Sequence, residues 1–195
     1  MLKGYRSDDP LRDRYETISD QALVLLVSYF GSLVHDLFRE GIAGALVRDE
    51  DSALLREQVK ISFRELRKAG FDLKEIAPDL LVQAKDISFQ DMQSIARAFK
   101  DYLGIVIERD SVVNEIVIAQ ACRHVIVHTG GLVDEKLIRQ ATSANPRTLK
   151  PSLNVGERIQ FTVEEVSATA KFMVSYLKSL VQKHEAKNCL ESKPL

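Results

Sequence analysis

Cysteine is scarce in this chain: two in 195 residues, Cys122 inside an apolar stretch and Cys189 near the C-terminus. That count excludes a disulfide framework and a cysteine zinc site, and it fits a reduced, cytoplasmic protein. Charge excess is also lacking. The formal net charge is −1 and the isoelectric point about 6.4, unlike the strongly basic domains that coat nucleic acid non-specifically. One local positive groove remains compatible with that balance. No apolar run is read as reaching the roughly 18–20 residues that span a bilayer, so no membrane partner is expected. The first residues, MLKGYRSDDPLRDRYE, lack the apolar centre of a secretory signal. Neither a G-x-G-x-x-G fingerprint nor a P-loop occurs, so no nucleotide cofactor is expected. His-Glu-x-x-His is missing too, and no metal is expected.

What is present is an ordinary globular composition, 45 % hydrophobic and 28 % charged, in a chain long enough to bury a substantial core. The pattern divides into an N-terminal arm over 1–18, or a short helix after Pro10 there, a single domain over 19–185 and a polar tail over 186–195. Ser19 is placed to cap a helix to about 47. Its apolar positions Leu23, Leu26, Val27, Phe30, Leu33, Val34, Leu37 and Phe38 are spaced by threes and fours. Gly31, Gly41 and Gly44 weaken that helix but permit a close crossing. His35 reads as a surface or boundary histidine. The acidic stretch Asp49-Glu50-Asp51-Ser52 opens a helix over about 52–69 stopped by Gly70, with Arg64, Arg67 and Lys68 as a solvated face near its end. A short helical piece over 73–86 contains Pro78. Ser88 with Asp91 resembles a capping box for a helix over 89–103 that ends at Gly104.

Residues 112–128, capped by Ser111, are apolar almost all round and belong in the middle of a bundle. Their β-branched content also fits a buried strand, but the length favours a helix. Asp134 caps a short helix to about 141. Pro146, Pro151 and Asn154-Val155-Gly156 mark a loop that fits a short hairpin near 148–161. Thr162 with Glu165 makes a capping box for a last helix over 163–185, with a stripe of Val166, Ala170, Met173, Val174, Leu177, Leu180 and Val181. The expected fold is all-α, an antiparallel bundle of four to six helices.

The chemistry-bearing stretch is Arg123-His124-Val125-Ile126-Val127-His128-Thr129-Gly130-Gly131. On a helix, His124 and His128 share a face, Gln120 joins it one turn earlier, and Arg123 flanks it. Two imidazoles can give and take protons near neutral pH. A guanidinium beside them can neutralise charge on a phosphoryl oxygen. These are the parts for cutting RNA without metal. Such a reaction needs the 2′-hydroxyl and leaves DNA intact. Two histidines at that spacing also fit a metal pair, though no third ligand is evident, or a structural pair with no chemistry.

Arg123-x-x-x-x-His128, with a polar residue directly after the arginine, resembles the signature of HEPN domains. The longer run Arg-His-Val-Ile-Val-His-Thr-Gly-Gly-Leu-Val-Asp is similar to the helix end and following turn of standalone members. The resemblance covers 19–185 and implies an α-helical, usually dimeric bundle. It also implies metal-independent endoribonuclease activity, often in toxin–antitoxin or antiviral defence systems with an antitoxin or other regulatory protein as partner. Carried over, Arg123 and His128 are the catalytic pair and His124 takes the polar position, where the family more often has asparagine or aspartate. Thr129 stands where several members have asparagine. Gln120, Thr129, Gly130 and Gly131 are then the expected substrate-binding positions. The alternative is a catalytically silent HEPN-like dimerisation or RNA-binding module, since a fold does not fix a function.

Overall fold

Pro10 opens the first helix of the protein, in the first turn, where its missing N–H leaves no bond unmade. The computed structural model describes residues 9–47 and 53–191. The acidic patch Asp49–Ser52 lies outside the described residues. Among these, the chain is all-α, a helical bundle with no strand. Seven α-helices are found, one more than the four to six expected: α1 (Asp9–Val47), α2 (Phe63–Lys68), α3 (Leu73–Ala84), α4 (Met92–Leu103), α5 (Ser111–Thr129), α6 (Glu135–Ser143) and α7 (Val163–Glu191). A 3-10 turn, Ala53–Arg56, precedes α2.

Two compact units divide the chain, one of residues 1–30 and 109–177, the other of 31–108 and 178–195. In the first unit, α5 supplies the centre. Ile116, Ile118, Ala119 and Cys122 are fully buried, with Leu137 and Ala141 of α6, Phe161 of the loop and Met173 of α7. Asp110, not Ser111, caps α5: its carboxylate accepts the Val113 amide at 2.8 Å, leaving Ser111 inside the helix. Asp134 caps α6 by accepting from Leu137 N at 2.7 Å. Thr162 and Glu165 form the reciprocal capping box of α7, at 3.0 and 3.2 Å.

The segment 148–161 is not a hairpin. Its last residues fold back on the turn after α5, meeting it in one antiparallel bridge between Leu132 and Arg158. Its first residues are held by side chains instead of by a partner strand. Arg147 donates to the carbonyls of Ala141 and Lys150, and Lys150 pairs with Glu165 at 2.7 Å while lying over the Phe161 ring.

In the second unit Phe38 is fully buried among aromatic rings, with Phe89 and Phe99 each at 5.5 Å. The expected close crossings occur at two of the α1 glycines. A Cβ on Gly31 would sit 2.9 Å from the Phe89 carbonyl oxygen, and one on Gly41 2.7 Å from Leu103 Cδ1. His35 is the boundary residue expected, half-buried against Phe89 and 3.7 Å from Asp79. Asp91, rather than Ser88, caps α4 by accepting from Gln93 and Ser94, and Gly104 ends it in the left-handed region. The single helix expected over 52–69 is broken into the 3-10 turn and six-residue α2, whose Arg64, Arg67 and Lys68 all face solvent.

Helix α1 starts ten residues before the expected cap, and Ser19 is a buried residue within it. Its inner line is Leu23, Val27, Phe30, Val34, Phe38 and Ile42. Leu33 faces outward, in a row with Tyr15, Ile18, Leu25 and Tyr29, all exposed and all within an arc of about 80°. This double-sided character overturns one expectation. Thr17–Val47 is long and apolar enough, by length and composition, to cross a membrane: its best 18-residue window has a mean hydropathy of 1.4, with 33 % of that window buried. On α7 the buried line is Thr169, Met173, Tyr176, Leu180 and His184, while Val174 and Val181 of the expected stripe are exposed.

Candidate functional site

Helix α5 is buried from Val113 to Cys122 except for half-buried Val117, and emerges only in its last two turns. Arg123 is half-buried, His124 exposed, Val125 buried and His128 exposed. A helix anchored by its apolar body thus presents its polar end to solvent, which is the placement the sequence implied for Arg123, His124 and His128. The two imidazole rings lie 4.5 Å apart between centroids, inclined at 46°.

The helix stops here because of its glycines. Gly130 (φ 64) takes the left-handed C-terminal position, and the Gly131 amide turns back to donate to the Val125 carbonyl at 3.1 Å. Thr129 Oγ1 is within donating distance of the Val125 and Leu132 carbonyls, at 2.9 and 3.1 Å. Its hydroxyl holds the turn instead of facing a ligand. Gly130 is open, with nothing within 4 Å of an added Cβ. Gly131 is closed: it is buried, its carbonyl accepts from Ile159 N at 2.7 Å, and an added Cβ would meet the Ile159 oxygen at 3.4 Å. Of the two glycines, only Gly130 has open space around it, and its N–H donates to the Val125 carbonyl. Gln120 is also corrected. It shares the histidines' line along α5 but is only 7 % exposed, because that line enters the core one turn earlier.

Sequence reasoning passed over the basic residues that chain folding adds. Lys136, on the first turn of α6, and Asp134, its cap, both act electrostatically on His124. Arg158 passes beside Gly131, its Cγ 3.7 Å from the position of an added Cβ. Only the tight turn 130–134 could have signalled Lys136, and nothing local signalled Arg158.

The electrostatics act on His124. Partial desolvation, then the charges of Lys136 and His128, hold the His124 imidazole below the ordinary histidine value, against an opposing pull from Asp134. Beside it, Arg123 Nε is a buried donor with no hydrogen-bond partner among the described residues. An unmet buried donor costs about 1–3 kcal/mol. Among the described residues no group of three or more histidine, cysteine, aspartate or glutamate side chains is placed to hold a metal ion.

Compared with protein-family models, with curated proteins and with solved structures, the chain matches none of them.

Proposed function

We propose that this protein is a metal-independent endoribonuclease of HEPN type. The observation that carries the reading is the exposed end of α5, where two imidazoles 4.5 Å apart adjoin an arginine with an unmet buried donor. In the proposed reaction, His124, kept neutral by its surroundings, takes the proton from a 2′-hydroxyl. The 2′-oxygen attacks the adjacent phosphorus, and the bond from phosphorus to the 5′-oxygen breaks. His128 gives that oxygen its proton, and Arg123 neutralises the charge gathering on the non-bridging oxygens. The products are a 2′,3′-cyclic phosphate and a 5′-hydroxyl. Gly130 leaves open space beside the phosphate.

The proposed setting is a cytoplasmic toxin–antitoxin or antiviral defence system, with RNA as substrate and an antitoxin or regulatory protein as partner. The proposed assembly is a homodimer in which two α5 ends meet and complete a composite site. Each chain offers one arginine and two histidines there, so pairing doubles the local positive charge of a chain whose net charge is −1. A purified protein that stays monomeric at micromolar concentration yet cuts RNA fully would sink this part.

A second reading, a HEPN-like dimerisation or RNA-binding module without turnover, draws support from the exposed row Tyr15, Ile18, Leu25, Tyr29 and Leu33 on α1. Such a row suits association better than catalysis.

The test is cleavage of a mixed RNA in excess EDTA by wild type, Arg123→Ala and His128→Ala. Cleavage by wild type alone, leaving cyclic phosphate ends, supports the enzyme. No cleavage by any of the three, all folded and dimeric, favours the silent module. Activity surviving in both variants would overturn the assignment of the site.

A further inference from the structure

The geometry of His124 and His128 carries a second activity, and we infer that the pair binds a divalent transition metal with right-angled coordination positions, Ni²⁺ or Cu²⁺ in preference to Zn²⁺. The two residues are one helical turn apart on a helix whose body is buried, so their Cα positions are fixed before any ligand arrives. Both side chains are exposed, leaving the remaining metal positions to water. A metal bound to an imidazole nitrogen lies about 3.2 Å from the ring centre, from a metal–nitrogen bond of about 2.0–2.1 Å. Two such rings at a right angle have centres about 4.5 Å apart, whereas a tetrahedral angle puts them about 5.2 Å apart. The observed separation is 4.5 Å. Right-angled positions belong to tetragonal Ni²⁺ and Cu²⁺, and tetrahedral ones to Zn²⁺. The terminal torsion of each side chain is soft, so the rings can turn about the axes that carry their centres.

The charges around the pair are mixed. Arg123 and Lys136 disfavour a cation beside His124, and Asp134 favours one. Removal of Lys136 therefore tightens the site, while removal of either histidine destroys it. A bound metal would occupy the lone pairs that proton transfer requires, so the same ion would switch off any acid–base chemistry here. The inference itself does not rest on RNA cleavage, because binding is read with no RNA present.

The experiment is calorimetric titration of the untagged protein with NiCl₂, CuCl₂ and ZnCl₂ in a non-coordinating buffer near neutral pH, with thermal unfolding in parallel. Wild type is expected to bind one Ni²⁺ per chain and to unfold at a higher temperature with the metal present. In His124→Ala, His128→Ala and His128→Gln, all checked for helical content, Ni²⁺ affinity should fall by roughly tenfold or more. Lys136→Ala should bind at least as tightly as wild type, a change that general damage to the fold would not produce. Failure of wild type to bind Ni²⁺, or binding unchanged in the histidine variants, overturns the inference. Zn²⁺ binding more tightly than both Ni²⁺ and Cu²⁺ overturns the right-angled geometry on which it stands.

Discussion

The carboxylate of Glu115 on α5 is clamped by Thr148, thirty-three residues later, whose backbone amide and hydroxyl both donate to the same oxygen. The other carboxylate oxygen accepts the Leu149 amide at 2.9 Å, and Glu115 is 2 % exposed. A buried acid placed against three donors fixes the return loop on the helix that carries the candidate site. Asn114 extends the clamp through Pro146 O at 3.2 Å, and Arg109 reaches both Asn114 and Ser143.

Replacing Glu115 by alanine strands those donors in the core. Glu115→Ala is expected to lose about 3 kcal/mol or more in urea unfolding, at the upper end for bonds to a charged group. Glu115→Gln should lose less, since one acceptor oxygen remains. A loss below about 1 kcal/mol for alanine would show that the loop does not depend on this clamp.

Tyr176 predicts a change of opposite sign. Its ring packs against Phe30 at 5.7 Å, but its buried hydroxyl has no hydrogen-bond partner among the described residues. Tyr176→Phe keeps the ring and removes the unmet group, so stability should rise by about 1 kcal/mol. Burial, with a smaller push from Asp110, also raises the phenol above its ordinary value of 10.0. The unfolded chain therefore loses this proton first, and stability falls as pH rises past about 10. Tyr176→Phe should flatten that alkaline loss. Destabilisation by the substitution would mean that the hydroxyl is satisfied after all.

The sequence made α5 legible because a long, all-round apolar stretch is too long for a strand. Asp134, the Thr162–Glu165 box and Gly104 were legible because caps act within three or four residues. Ser19 misled for the same local reason: a serine caps only where the chain breaks, and nothing between Pro10 and Ser19 breaks it. The histidine face was legible from helical spacing, but Gln120 was not, since spacing gives direction and not depth. Lys136 and Arg158 reach the site through the turn at 130–134 and the bridge at 132–158, contacts that no periodicity encodes.

Cys122 gives a probe of opening. Its thiol is fully buried in α5, and that burial pushes its ionisation up to about 12. Thiolate, not thiol, is the reactive form, so native Cys122 should be inert. In a Cys189→Ser background, labelling by a disulfide reagent should proceed no faster than global unfolding and should complete in denaturant. Rapid labelling of the native protein would mean that α5 is not packed as described, and with it the placement of the histidines.

The role proposed for His124 rests on its being held neutral, and this can be read without any RNA. His124 is held below the ordinary value of 6.5, first by desolvation and then by Lys136. NMR titration of its ring should therefore give a midpoint below 6.5, and Lys136→Ala should move that midpoint upward. Because the unfolded chain binds this proton more readily, stability should decline as pH falls from 6.5 through the folded midpoint, and less steeply in Lys136→Ala. If wild type cuts RNA, the acidic limb of kcat/KM should follow the same shift, since that limb reports the free enzyme's base. A limb that ignores Lys136→Ala while the His124 midpoint moves would transfer the base's role to another residue. A His124 midpoint at or above 6.5 would remove the reason for assigning it the role at all.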